Sequence, residues 1–539
     1  MARRLVSVCC GLVVSAALSA PVLAGVVHVP GDAPTIQQAI AIAANGDTVL
    51  VGPGTYHERI DFLGKRLSVQ GVEGSNATTI DADNAGSVVT VASGEPVGTQ
   101  LRGFTLMRGS GTSVQISPGT TYRVGAGVYV DNGSKLAVSD CRIVDNHANT
   151  IPDLSRGGGV FVRQAQASFE KCRITANTAA VGSAAYTADG LLELTQCEVS
   201  GNTAGHAADA TVQGAQLTDC LVRDNVGSGY SGAAAAGCAF LDNTGDGMRV
   251  IEDTVQPITV SGCEFGGNGL EGLRLVSFGA LAGADWSVTS CVFRGGDGLM
   301  AFGSEIGLGE SHTLRLVNDT FDGSTIFFDT FPFPAELLAT NCILRDASWS
   351  AWSVAFDHCD ANPLQPGAGN IDADPQWVDP ANGDYHLQPG SPCINAGSPL
   401  SPPDPDGSPA DMGALPYDPW TDLGGGVAGS AGLPLLEGTG SLIGGSSLTL
   451  SFSGAPAFQP TLLVVGVSQL GAPFKGGTLW PSADIVAPIG AAANGSWTLP
   501  ATWPAGLPAA ASVWLQVWFP DAGAPQGFAA SGGLRATTP

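Results

Sequence analysis

Between Leu136 and Leu344 apolar and polar positions alternate in short runs, and the runs recur. Each unit reads apolar residue, two more residues, Cys, any residue, apolar residue, and then often Asn three further on. It appears as Val138…Cys141…Ile143…Asn146, Phe169…Cys172…Ile174…Asn177 and Leu194…Cys197…Val199…Asn202. Leu217…Cys220…Val222…Asn225, Ala235…Cys238…Phe240…Asn243 and Val260…Cys263…Phe265…Asn268 follow. Val288…Cys291…Phe293 lacks the Asn, and Leu316…Asp319…Phe321 and Ala339…Cys342…Leu344 are degenerate copies. From Cys141 to Cys291 the spacings are 31, 25, 23, 18, 25 and 28 residues. That period, with irregular gaps, predicts a solenoid whose coils share strands and differ in loops.

Side chains alternate between faces along a strand. The residues three and five before each Cys, the Cys itself and the residue two after it must therefore point inward. Leu136 and Val138, Leu192 and Leu194, and Trp286 and Val288 fill the first two places. Each coil then has two short strands with a bend between them. The Asn falls at a turn, where it tolerates left-handed backbone and its amide can bond the equivalent Asn one coil away. The expected ladder runs from Asn146 to Asn268. Equivalent cysteines in stacked coils lie about 4.8 Å apart with parallel Cβ vectors, which suits free buried thiols better than disulfides. Cys393 lies outside the ladder and is a candidate partner for Cys359.

These features resemble the pectin-lyase-like right-handed parallel β-helix superfamily, with its inward stacks and asparagine ladder, over roughly residues 26–415. The resemblance implies an all-β fold, a right-handed parallel β-helix solenoid with an N-terminal capping helix. That fold hosts lyases, hydrolases, esterases, adhesins and inert scaffolds, so function must be argued from sites. Thr35 reads as the N-cap of a helix with Ile36, Ala39, Ile40 and Ala43 on one face, ended by Asn45-Gly46. Gly54-x-Tyr56-x-Glu58 matches a pectinesterase motif that is structural in that family. The stretch from Asn370 to Gly397, completed by Asp404 to Gly413, resembles the closing segment of secreted bacterial β-helix proteins of the choice-of-anchor type.

The domain reading is a signal peptide over 1–24, a capped β-helix over 25–419, a Gly-rich linker over 420–432 and a small β-sandwich-like module over 433–539. The leader rests on Arg3-Arg4, the apolar run Leu5 to Leu18 and Val22-Leu-Ala24. Its removal takes the formal charge from −26 to −28. So acidic a chain disfavours nucleic acid and anionic membranes as partners and suits cations or neutral glycans. No membrane insertion is expected after cleavage; a secreted or cell-surface monomer with a polysaccharide partner is.

Chemistry should show on the outward face of the first strand. Two residues before each Cys stand Ser139, Glu170, Thr195, Thr218, Ala236, Ser261 and Thr289; four before stand Ala137, Ser168, Glu193, Gln216, Ala234, Thr259 and Ser287. Glu170 and Glu193 are the only candidate catalytic carboxylates there, one coil apart in different columns. No acid–base pair at glycosidase separation emerges. The seven His have no paired ligand spacing. Asp404, Asp406 and Asp411 share a Pro/Gly loop and are the candidate calcium ligands, although Gly407 comes too early for an EF-hand. Five Trp after residue 433 form either a glycan platform or, as the shared parity of Trp514 and Trp518 favours, a sandwich core. The leading expectation is a non-catalytic, carbohydrate-binding scaffold that needs no cofactor; the alternative is a polysaccharide lyase acting on uronans.

Overall fold

The computed structural model describes residues 24–148, 154–206, 209–252, 258–277, 285–303, 312–329 and 335–539. The expected leader therefore lies, but for Ala24, outside the described residues. Three parallel sheets of 14, 13 and 12 strands run the length of the molecule from Val26 to Ala361. Each coil but the first and the last contributes one strand to each. In one coil these are Lys135–Ser139, Arg142–Val144 and Val160–Arg163.

The register follows the sequence repeat. In the first sheet Val138 pairs with Phe169, Phe169 with Leu194 and Leu194 with Leu217. In the second, Ile143 pairs with Ile174 and Ile174 with Val199. The inward columns are fully buried and fuse into one core. Phe240, Phe265, Phe293 and Phe321 form a stack inside it, with successive ring centroids 5.5, 4.8 and 4.5 Å apart.

Each coil turns two corners on left-handed residues, and these are not the expected ones. Asp140, Lys171, Gln196, Asp219 and Ser290, each immediately before its Cys, have φ of 53–54°. Asp145, Ala176, Gly201, Asp224, Asp242 and Gly267, each immediately before its Asn, have φ of 53–70°. The asparagines are not among the left-handed residues; they point inward and are buried or nearly so. Asn202 donates its N–H and Nδ2 to Asn225 Oδ1 at 2.9 and 3.0 Å and its Nδ2 to Ile174 O. Its Oδ1 accepts from Asn177 N and Nδ2. The ladder also does not stop at Asn268. Buried Asp297 continues it, accepting from Asn268 N and Nδ2.

All ten cysteines from Cys141 to Cys393 are buried and free. In the ladder the thiols donate to carbonyls of the preceding coil, as Cys197 does to Phe169 O at 3.4 Å and Cys220 to Leu194 O at 3.3 Å. Cys393 does not pair with Cys359; its thiol faces Asp360 Oδ2 at 3.6 Å. Burial pushes the thiols of Cys141, Cys342 and Cys393 up. Asp319 takes the Cys place in its coil and accepts from Cys291 N and Val317 N.

Both ends are closed by devices anchored in the sequence. Helix Ile36–Ile42 lies over the first coils. Thr35 caps it as expected, and it ends at Ile42, three residues before Asn45. At the far end the closing segment continues the coil: Asn370 Oδ1 accepts from Cys359 N, and Gly413 N donates to Asn341 O.

Beyond the helix lie a six-stranded antiparallel-paired sheet, a three-stranded sheet and a two-stranded hairpin. Part of the expected 420–432 linker is not a linker. Trp420–Gly424 is the edge strand of the six-stranded sheet, paired antiparallel with Gly533–Thr537, because Trp420 brings an apolar anchor to that core. Trp497, Trp503 and Trp518 are buried in the core of the module, and Trp480 and Trp514 are half-buried, so none of the five stands exposed as a platform.

Candidate functional site

The outward face of the first sheet carries the residues the repeat places there. Strands Lys135–Ser139, Gln166–Glu170 and Leu191–Thr195 pair in parallel, with Ser168 opposite Glu193 and Glu170 opposite Thr195. The two glutamates therefore sit on a diagonal of the same face. Both are exposed. Glu170 bonds the neighbouring Lys171 at 3.1 Å. A groove of about 200 Å³ opens over these strands, walled on one side by Val97 to Thr99 and floored by Lys135, Ala137, Gln166, Ser168 and Glu193. It takes in Glu193 and leaves Glu170 outside. A second hollow of about 530 Å³ adjoins it, shares Lys135, Gln166 and Leu191, and adds Gln164 and Asp189. One ammonium, two amides, a hydroxyl and two carboxylates thus line a shallow concave strip. Such a strip offers donors and acceptors to a polyhydroxylated ligand.

Asp404, Asp406 and Asp411 do share one loop, but their oxygens turn to backbone amides. Asp404 Oδ2 accepts from Asp411 N, Asp406 Oδ1 from Ser408 N, and the two oxygens of Asp411 from Asn395 N and Tyr417 N. Burial, and then the charge of Asp411, push Asp404 up to about 7. Burial raises Asp411 as well. The visible work of this loop is to fold the closing segment over the last coil.

The structure brings together a group that sequence reasoning missed. His57, Asp81 and Asp83 are the one set among the described residues whose atoms approach as metal ligands would. His57 Nδ1 lies 3.0 Å from Asp83 Oδ1. Arg108 already fills the cluster, giving its Nε to Asp81 Oδ1 at 2.7 Å and its Nη2 to Asp83 Oδ1 at 2.9 Å. The signal was positional: His57 and Asp81 are register partners in the second sheet.

With this geometry in place, the class is defined. Residues 102–280 match the family of right-handed β-helix regions. The solenoid is a right-handed parallel β-helix. No curated protein matches the chain in sequence. Among solved structures, a pectate lyase is similar at 14% identity, with 73% of this chain and 96% of that one covered and a TM-score of 0.35. A polygalacturonase from Erwinia carotovora ssp. carotovora is similar at 9% identity, with 61% and 94% covered and a TM-score of 0.28. A tailspike of Acinetobacter phage vb_AbaP_AS12 is similar at 10% identity, with 92% and 78% covered and a TM-score of 0.28. At such identities these likenesses say nothing of this chain's chemistry. No described helix is long and apolar enough to cross a membrane.

Proposed function

We propose that the chain is a secreted, non-catalytic β-helix scaffold that binds carbohydrate along the outward face of its first sheet. The observation that carries this reading is the groove over strands 135–139, 166–170 and 191–195, with Lys135, Gln166, Ser168 and Glu193 converging on it. Sugars are held in concave strips by a few placed polar groups. Within the groove Glu193 is the one carboxylate and Asp189 belongs to the adjoining hollow, whereas glycoside hydrolysis uses two flanking the scissile bond. Glu170, on the diagonal, is tied to Lys171. The leader-like sequence before residue 25 supports export.

The test is retention of the full chain on immobilised pectate, alginate and neutral glycans, together with an assay for unsaturated uronate products in the presence of Ca²⁺. Retention on at least one glycan that weakens about tenfold in Lys135→Ala/Gln166→Ala, without turnover, is expected. Turnover abolished by Glu193→Ala or Glu170→Ala would replace this reading with the lyase one.

A further inference from the structure

A separate cavity, of about 270 Å³, lies where the closing loop of the β-helix meets the C-terminal module. Its walls come from three stretches: Pro405 and Asp406 in the closing loop, Pro416 to Asp418 with Trp420 at the start of the edge strand, and Gly438 to Gly440 at the end of strand Leu435–Thr439. It shares no residue with the groove of the first sheet, and the inference does not rest on that groove. Small-ligand sites favour such junctions.

Charge is the informative feature. Among the described residues the lining holds two carboxylates, Asp406 and Asp418, and no Lys, Arg or His. Elsewhere the buried carboxylates of the β-helix find arginines: Asp81 pairs with Arg108, Asp131 with Arg163 and Asp246 with Arg274. Here Asp406 Oδ1 accepts from Ser408 N and Oγ at 2.8 and 2.6 Å, and Asp418 Oδ1 from Trp420 N at 2.9 Å. Among the described residues neither pairs with a cation, and the second oxygen of each has no protein donor. Arg535 does not line the cavity; its Nη2 meets Thr421 Oγ1 at 3.3 Å.

The rest of the wall is apolar or aromatic, and its donors are spent. Tyr417 is buried and gives its hydroxyl to Thr537 O at 3.0 Å. Trp420 is half-buried and gives its Nε1 to Gly440 O at 2.9 Å. The six-membered ring of that indole lies against Gly438, where any side chain would collide with Cε3 and Cζ3. Pro405 and Pro416 carry no N–H. The Thr439 hydroxyl is the one side-chain donor left. The cavity therefore presents two carboxylates and an indole held in place, which is a surface for a positive charge on an apolar stem.

We propose that this junction cavity binds an alkylammonium group, the charged end of a diamine or of a lysine side chain, with the ammonium at Asp406 and Asp418 and its methylenes against Trp420 and the two prolines. An ammonium has three donors and no acceptor, which matches a wall of free carboxylate oxygens. Charge-assisted bonds of this kind are the strong ones, and an indole attracts a cation better than any other ring. A methylene stem buries on apolar surface while its head stays with the charges. A hard divalent cation would use the oxygens alone and gain nothing from the indole and the prolines.

The test is calorimetric titration of the full chain with 1,5-diaminopentane, with Nα-acetyl-lysine methylamide and with the neutral pentane-1,5-diol. Saturable binding of at least one amine, at least tenfold weaker binding of the diol, and a loss of tenfold or more in Asp406→Asn/Asp418→Asn are expected. The order of the two amines tells a free diamine from a lysine side chain, and either order supports the proposal. Both asparagines keep the oxygen that accepts from Ser408 N or Trp420 N. Asp418→Asn alone, at an exposed position, should weaken binding severalfold without lowering the melting temperature, which keeps the test open should the double variant fold poorly. Lys135→Ala/Gln166→Ala, which disables the groove of the first sheet, should leave amine binding unchanged, so the two sites fail separately. Equal affinity for the diol, displacement of the amine by Ca²⁺ at the same concentration, or unchanged affinity in both aspartate variants would overturn the proposal.

Discussion

At the scale of the residue, the coil is held by a division of labour between neighbours. The corner residue supplies left-handed backbone, and the Asn after it supplies the hydrogen bonds. Gly201, with φ 63°, stands before Asn202, and Ala176 holds the same corner one coil earlier at φ 54°. A Cβ on Gly201 would meet no atom within 4 Å. Gly201→Ala should therefore cost only the backbone preference, about 1 kcal/mol. Asn202 is different, because its removal leaves Asn177 N without its acceptor and takes one partner each from Asn177 Nδ2, Asn225 Oδ1 and Ile174 O. Buried groups left unpaired cost roughly 1–3 kcal/mol. Asn202→Ala should lose about 2–4 kcal/mol and Asn202→Gly no less, since no left-handed strain exists at 202 for glycine to relieve. Chemical denaturation of the three variants checks the order; Asn202→Gly as stable as wild type would contradict it. The periodicity placed these asparagines at the turn and inside the stack. It did not assign the left-handed angle, because Asn and Asp both tolerate it and Asp or Gly so often stands just before.

At the scale of the element, the N-terminal helix shows how a short motif becomes structure. Seven residues are too few for a helix to stand alone in water. This one is clamped at both ends from the next coil. One carboxylate oxygen of Glu58 accepts from Ile36 N and the other from Gln37 N, each at 2.8 Å. Lys65 Nζ gives hydrogen bonds to the carbonyls of Ile40, Ala41 and Ala43. An anion at the N-terminus and a cation at the C-terminus also answer the helix dipole. Glu58→Ala should destabilise by about 1–2 kcal/mol and raise amide exchange over 36–42, whereas Glu58→Gln, which keeps one acceptor, should do so less. Exchange unchanged in Glu58→Ala would mean that packing of Ile36 and Ile40 holds the helix without the cap. The Gly54-x-Tyr56-x-Glu58 motif was legible as structural, and the structure gives it this capping role. The edge strand Trp420–Gly424 was not legible, since Gly-rich sequence after a Pro-rich segment reads as linker and its pairing partner lies more than a hundred residues later. The junction cavity escaped for the same reason: its walls come from three separated stretches.

At the scale of the whole molecule, several carboxyls are kept partly out of water, and their titration sets how stability varies with pH. Asp297 ends the ladder and is pushed up to about 6 by burial. Burial holds Asp319, in the thiol column, well above the usual carboxylate range. In the closing loop burial and Asp411 push Asp404 up to about 7. A carboxyl raised in the folded state favours folding when protonated. Its contribution is complete below the unfolded value near 4 and is lost as pH rises through the folded value. The molecule should therefore resist denaturant better at pH 5.0 than at pH 7.5. Opposite groups set the acid limit. Asp81 and Asp131 feel burial first, yet the hydrogen bonds and charge of Arg108 and Arg163 hold them below the usual range. Their contribution is present above the unfolded value and is lost only as pH falls through the lowered folded values, below about 4. Asp404→Asn isolates the closing loop, because the amide oxygen still accepts from Asp411 N while the negative charge facing Asp411 is gone. The variant should be more stable than wild type at pH 7.5 and equal to it near pH 4, with a flatter profile between. Asp404 is half-exposed, so solvent screening keeps the gain to less than about 1 kcal/mol. A variant profile parallel to that of wild type from pH 4 to 7.5 would show that Asp404 titrates in the ordinary range, and that the carboxylates of the loop do not crowd one another in solution.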